Sequence, residues 1–280
     1  MKFTTQSEAK KLTGLSYLGN INISSKIIKN MKVSNNYTYI IYLAPSNLSG
    51  YNVCSHSTPE CRLGCLNTSG RVKMEREGNT IITDARIKKT KLFFEHRQFF
   101  MEWMVSEIKT FQKKAIKDGF DFSVRLNGTS DIDWENVLFS YSDSNGDTDI
   151  LNKNIFEIFP DVLFYDYSKN FNKFTTKPNN YHLTYSYTGK NWDKCETLLS
   201  RGFNVAVVFD TKKKDELPIL FKGYKVIDSD ETDFRPNDPS GVICGLRFKN
   251  IANKINQEII LKSCFVVKGY ERILGSEVKG

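Results

Sequence analysis

The chain has 280 residues, of which 40% are hydrophobic and 13% aromatic, with 17 Gly and seven Pro; it is too apolar for a disordered protein and too unbiased for a fibrous one. Forty Lys and Arg against 32 Asp and Glu leave a formal charge of +8, which suits either an anionic partner or a well-solvated surface. Apolar stretches such as 39–44 and 205–209 fall far short of the roughly 20 residues of a membrane span. The opening residues carry no apolar signal core, so a cytoplasmic protein with no membrane contact is expected.

Residues 1–36 are polar, with a weak helical pattern at Ile23, Ile27 and Ile28, and read as an N-terminal cap or arm. An aromatic and β-branched strand follows at 37–44, closed by Pro45, and a cysteine loop occupies 52–66. From Asp84 to Asp118, Phe93, Phe100, Met104, Ile108, Phe111 and Ala115 recur at helical spacing, and Gly119 suits the position after the helix. Lys109, Lys113, Lys114 and Lys117 crowd its last third, where cations complement the helix dipole. Strands are then expected at 120–126, 162–166, 181–186, 204–209, 224–228 and 242–248, with helices at 150–159 and 190–201. The segment 143–149 superficially resembles a calcium loop but has Thr148 and Asn154 where an EF-hand needs Gly and Glu, so it reads as an exposed turn.

Strand–helix alternation predicts an α/β fold with a mainly parallel sheet. Several strands nevertheless alternate: Phe120, Phe122, Val124 and Leu126 oppose Asp121, Ser123, Arg125 and Asn127, and His182, Thr184 and Ser186 share one face of 181–186. A sheet buried on both faces would carry continuous apolar runs. The pattern therefore favours a partial (β/α) barrel over 37–250 with a polar cavity, and a C-terminal extension, 251–280, packed on it. In such a barrel the chemistry gathers at the C-terminal ends of the strands. Asp166, His182 and Asp228 are the candidate catalytic residues there, and Asn127, Ser130 and Arg125 the candidate cofactor-binding ones, with Arg125 suited to clamp a carboxylate or phosphate. For His182 a buried, hydrogen-bonded core histidine is the plain alternative; Arg125 has its own, pairing with Asp121 or another strand's acid.

Half of the six cysteines lie within twelve residues, spaced Cys54-x6-Cys61-x3-Cys65. Three thiolates on one loop suit a [4Fe–4S] cluster with one open iron, the arrangement that binds and reductively cleaves S-adenosylmethionine. Radical SAM proteins place such a loop after the first strand of a partial barrel, and the order of elements here is similar, although their usual spacing is C-x3-C-x2-C. Zinc is the rival: with His56 the loop offers four nitrogen and sulfur ligands. Cys195, Cys244 and Cys264 read as small core residues.

Several blocks, among them 42–54, 85–94, Arg125-Leu-Asn-Gly-Thr-Ser-Asp131, 159–169, Asn180-Tyr-His-Leu-Thr184 and 226–233, resemble the phage Gene product 88 family over roughly residues 14–250. That resemblance implies a protein made in a bacterial host cytoplasm and brings no established activity. The expected function is a phage-encoded iron–sulfur, radical SAM-like enzyme acting on a host or nucleic-acid substrate. The alternatives are a non-catalytic, metal-stabilised protein that binds nucleic acid or a host protein.

Overall fold

In the computed structural model, the described residues are 6–21, 33–65, 80–142, 149–251 and 253–268. Ile23, Ile27 and Ile28 of the N-terminal arm, most of the calcium-like segment and the last part of the C-terminal extension lie outside them. The helices are α1 (Gln6–Thr13), α2 (Pro59–Leu63), α3 (Ile81–Glu95), α4 (Arg97–Asp118), α5 (Ile155–Ile158), α6 (Lys173–Thr176), α7 (Trp192–Ser200) and α8 (Lys254–Lys262). The strands are β1 (Gly19–Asn20), β2 (Asn36–Ile41), β3 (Asp121–Arg125), β4 (Phe139–Ser142), β5 (Asp149–Lys153), β6 (Leu163–Ser168), β7 (Tyr181–Ser186), β8 (Asn204–Phe209), β9 (Leu220–Phe221), β10 (Tyr224–Asp228), β11 (Ile243–Arg247) and β12 (Val266–Val267). The class is mixed α/β with mostly parallel strands, as the alternation of elements predicts.

The chain divides into two compact units, one of Met1–Ser55, Glu75–Asp166 and Thr176–His182, the other of His56–Met74, Tyr167–Thr175 and Leu183–Gly280. In the first, β2 runs parallel to β3 and β3 to β6, while β1 is antiparallel to β2. In the second, β7, β8, β11 and β10 are successive parallel neighbours, β9 is antiparallel to β10, and β12 joins β8 beyond the end of β7.

The expected helix over 84–118 is two helices, α3 and α4, broken at His96, whose φ of −136° and ψ of 52° leave the helical region. The seven-residue step from Phe93 to Phe100 spans the break, so periodicity could not reveal it. The apolar stripe is real: Phe93, Phe100, Met104, Ile108 and Ala115 are buried, and α4 packs on β2 and β3. Gly119 closes α4 in the left-handed region at φ 75°, its N–H bonded to the carbonyls of Ala115 and Ile116. The helix expected at 150–159 is met only in its second half, as α5; its first half is strand β5, because the capping box of Asn154 and Glu157 starts the helix only at Ile155.

The N-terminal arm contributes strand β1 through a buried charged network that carries no periodic signal. Glu107 of α4 accepts hydrogen bonds from the backbone N–H groups of Leu18 (3.0 Å) and Gly19 (3.0 Å) and from the Tyr39 hydroxyl (2.6 Å). Lys89 of α3 donates to the Leu18 carbonyl at 2.6 Å. Gly19 has to be glycine: a Cβ there would lie 2.5 Å from the Tyr39 ring. In the second unit the C-terminal extension adds β12, and Ile251, Ile260 and Val266 form a cluster with Leu63 and Val208.

Two outcomes follow from the network around Glu107. Glu107→Ala strands three buried donors and is expected to cost about 3–5 kcal/mol in urea unfolding; an unchanged midpoint would contradict this account. Burial pushes the Lys89 ammonium down to about 8. The unfolded chain keeps that proton to about 10.4. Between those values the unfolded state binds more protons, so stability rises with pH from about 8 to 10. Lys89→Met should remove that rise in a pH series of unfolding midpoints.

Candidate functional site

The end of β3 and the cysteine loop are built together in the first unit, and Asp166 is the anchor. Its side chain, on β6, is 1% exposed, with the Arg125 Nε 3.7 Å from Oδ1. Oδ1 also accepts the Asn127 N–H at 3.0 Å, and Oδ2 accepts the Leu126 N–H (3.3 Å) and the Tyr181 hydroxyl (3.0 Å). Burial, then the negative charge of Asp166, holds the Tyr181 phenol well above its usual range. The carboxylate thus sets where the chain turns after β3.

Asn127 then organises the turn. Its Oδ1 accepts from the Ser130 hydroxyl (2.8 Å), the Ile132 N–H (3.0 Å) and the Trp134 indole (3.1 Å), while its Nδ2 donates to the Ile132 carbonyl (3.1 Å). The closed turn is laced to the end of β2 and to the cysteine loop: Gly128 N–H to the Ile41 carbonyl (3.1 Å), the Thr129 hydroxyl to the Leu43 carbonyl (2.5 Å) and Asp131 N–H to the Val53 carbonyl (2.8 Å). Gly128 permits this approach, since a Cβ there would lie 2.6 Å from the Ile41 carbonyl oxygen. The Cys54 thiol lies 3.8 Å from the Thr129 carbonyl, and its N–H bonds to the Asn52 side chain at 3.0 Å.

The structure thus brings Arg125, Asn127, Ser130, Asp166 and Cys54 into one hydrogen-bonded assembly. It does not bring His182 to Asp166. Tyr181 reaches Asp166, and strand alternation turns His182 to the opposite face of β7. Asp228 belongs to the second unit, its side chain 36% exposed and 2.7 Å from the Arg247 guanidinium. Cys61 and Cys65 also belong to that unit, on and after α2, which Thr58 caps through the Cys61 N–H and which packs against α8.

None of the six cysteines forms a disulfide, and Cys54, Cys61 and Cys65 are half-buried. Cys195 and Cys244 are core residues, as expected, with thiols pushed up to about 12 by burial. Cys264, expected in the core, is instead exposed, because the chain passes it at the surface between α8 and β12. Among the described residues, no three His, Cys, Asp or Glu side chains are gathered as a metal-holding group.

The polar side chains along β2, β3 and β6 are present but are bonded to one another. In the first unit Thr38 lies 3.1 Å from the Ser123 hydroxyl and 3.2 Å from that of Tyr165, and Ser123 donates to Asn36 at 2.6 Å, all buried. Sequence reasoning missed the second unit's buried pair, Arg235 and Asp238, 3.0 Å apart, with Cys244 donating to Asp238 at 3.4 Å. Neither residue falls in a spacing that marks it. It also missed Arg97, whose guanidinium lies 4.9 Å over the Phe93 ring, for the same reason.

The family model for Gene product 88 matches residues 3–262. The chain belongs to the Gene product 88 family. No curated protein and no solved structure matches it. The expected family membership is therefore met across nearly the whole chain, and the match spans the turn that Asp166 and Asn127 hold together.

Asp166→Ala leaves two backbone N–H groups and a buried phenol without their acceptor, and is expected to cost about 3–5 kcal/mol in thermal or urea unfolding. Asp228→Ala, by contrast, removes a partly exposed ion pair and should cost less than about 1 kcal/mol. Similar losses for the two variants would mean that Asp166 does not anchor the turn.

Proposed function

We infer that this Gene product 88 protein is a phage-encoded iron–sulfur protein in which Cys54, Cys61 and Cys65 hold a [4Fe–4S] cluster, with radical SAM-like chemistry on a host or nucleic-acid substrate. The observation that carries the reading is the set of three half-buried cysteines, none in a disulfide, in the connection that follows the first parallel strand, β2. The donor set fits a cluster by its chemistry, although its thiols are not gathered around a common point among the described residues. The succession of parallel neighbours in chain order, β2 to β3 to β6 in one unit and β7 to β8 in the other, supports a partial (β/α) barrel, and the order departs from such winding where β11 lies between β8 and β10.

When bound, a cluster with one open iron supplies the electron that cleaves S-adenosylmethionine. The chain's own residues hold the loop: Asp166 fixes the backbone after β3, Asn127 closes the turn, and Thr129 and Asp131 hold the segment that carries Cys54.

One observation favours a second reading. Asp166, Asn127 and Ser130 spend their hydrogen-bonding groups on the protein itself, which suits a non-catalytic protein whose metal, zinc in this case, braces a loop for binding nucleic acid or a host protein.

Anaerobic purification with iron, sulfide and zinc analysis separates the two. About four iron and four sulfide per chain are expected, lost in Cys54→Ala, Cys61→Ala or Cys65→Ala and retained in Cys195→Ala. Formation of 5′-deoxyadenosine on reduction with S-adenosylmethionine then tests the open iron. A colourless protein with one zinc per chain would overturn the cluster and support the second reading.

A further inference from the structure

The first unit carries an exposed aromatic ring framed by lysines. The ring is that of Tyr17, 38% exposed, in the connection between α1 and β1. Its backbone is held in place: the Gln6 amide donates to the Ser16 carbonyl at 2.7 Å, and Leu18, the next residue, is fixed by Glu107 and Lys89. The buried Lys89 ammonium lies 4.6 Å from the ring centroid, so one face of the ring is turned to the protein and the exposed remainder to solvent.

Lys10 and Lys11 lie in the last turn of α1, and Lys88 and Lys91 on α3; all four are exposed. The two helices meet here: the Lys88 ammonium is 3.7 Å from where a Cβ on Gly14 would stand, and the Gly14 N–H bonds to the Lys10 carbonyl at 2.8 Å. Lys91 follows Lys88 by three residues and so shares its side of the helix. Among the described residues, none of the four side chains forms a hydrogen bond or an ion pair. Asp84 and Glu95, each four residues from one of the α3 lysines, bond instead to the hydroxyls of Thr80 (2.7 Å) and Tyr51 (3.1 Å). Cations at the end of α1 complement its dipole, but Lys88 and Lys91 lie before the last turn of α3, where that account does not apply.

We propose that this surface of the first unit binds single-stranded nucleic acid. The four ammonium groups neutralise backbone phosphates, and an unpaired base stacks on Tyr17. Lysines alone would suit any polyanion; the exposed ring adds a flat contact that an unstacked base can use and a duplex, its bases already stacked, cannot. Part of the +8 charge thereby acquires a partner. The proposal selects nucleic acid from the partners considered above, involves none of the cysteines and holds whichever metal they carry. Its failure would leave the cluster to the iron and sulfide analysis.

The test is fluorescence anisotropy of the full chain with a labelled oligothymidylate of about 20 nucleotides, long enough for one binding site, across a salt series. Saturable binding is expected, with a dissociation constant on the order of 1–100 μM near physiological salt and a log–log salt slope of about −3, since each phosphate neutralised on a single strand contributes about −0.7. Lys88→Gln combined with Lys91→Gln should weaken binding at least about tenfold at low salt and flatten the slope by about 1.4. Tyr17→Ala should weaken the oligothymidylate at least about fivefold, keep the slope and leave a duplex of the same length unaffected, and Tyr17→Phe should bind as the unaltered chain does. Lys113→Gln combined with Lys117→Gln, exposed at the end of α4, should leave affinity unchanged. If Tyr17→Ala lowers the urea midpoint, the α3 lysine pair, at exposed positions, decides the outcome. No saturable binding, a slope near zero, equal losses from the α3 and α4 lysine pairs, or a stably folded Tyr17→Ala variant of unchanged affinity would each overturn the proposal. Binding to phosphatidylglycerol vesicles without binding to the oligonucleotide would overturn it too, in favour of a membrane surface.

Discussion

The first unit depends on one buried carboxylate. Asp166 reaches from β6 to the backbone N–H groups just past the end of β3, with the Arg125 guanidinium beside it, and so decides where the chain leaves the sheet. A carboxylate away from water is tolerated only when it is paired and hydrogen-bonded, and here the protein supplies two amides, a phenol and a guanidinium. Everything after that turn inherits the constraint: Asn127 closes on Ser130, Ile132 and Trp134, the turn is laced to the cysteine loop, and the Cys54 thiol comes to rest by Thr129. A residue type that elsewhere does acid–base chemistry at a strand end is here a structural hub.

The same economy governs the strand faces. Polar side chains alternate with apolar ones along β3 and β7, a pattern that a hydrated cavity would also produce. In the first unit these groups are buried and bonded across neighbouring strands, Thr38 to Ser123 and Tyr165, Ser123 to Asn36. Alternation specifies which face is polar. Whether water or protein satisfies that face depends on how closely neighbouring strands bring their hydroxyls, which is set by register.

The cysteine loop has two separate supports. Its first part, with Cys54, is stitched to the turn after β3; its second part, with Cys61, is a capped helix against α8. The residues before the C-terminal helix, and the helix itself, thereby serve the loop despite a separation of nearly two hundred positions in the chain. The family match extends through residue 262, the end of that helix.

Local pattern was enough for much of the fold. The α/β class, most strand positions, the buried stripe of α3 and α4, the glycine after α4, the core cysteines at 195 and 244 and the family itself are readable from residue order, because they rest on periodicity, propensity and blocks of sequence. The break at His96 and the strand at 149–153 were not, since a seven-residue repeat bridges a kink unseen and a single capping asparagine moves a helix start. The site was legible as a list of residues and illegible as an arrangement. Arg125, Asn127, Ser130 and Asp166 stood out as polar groups at strand ends, yet only tertiary contacts decided that they bind one another, that His182 faces away from Asp166, and that Asp228 pairs with Arg247. Glu107, Lys89 and Arg97 carried no signal at all, because a lone charged residue on a helix acquires its meaning from what folding packs against it.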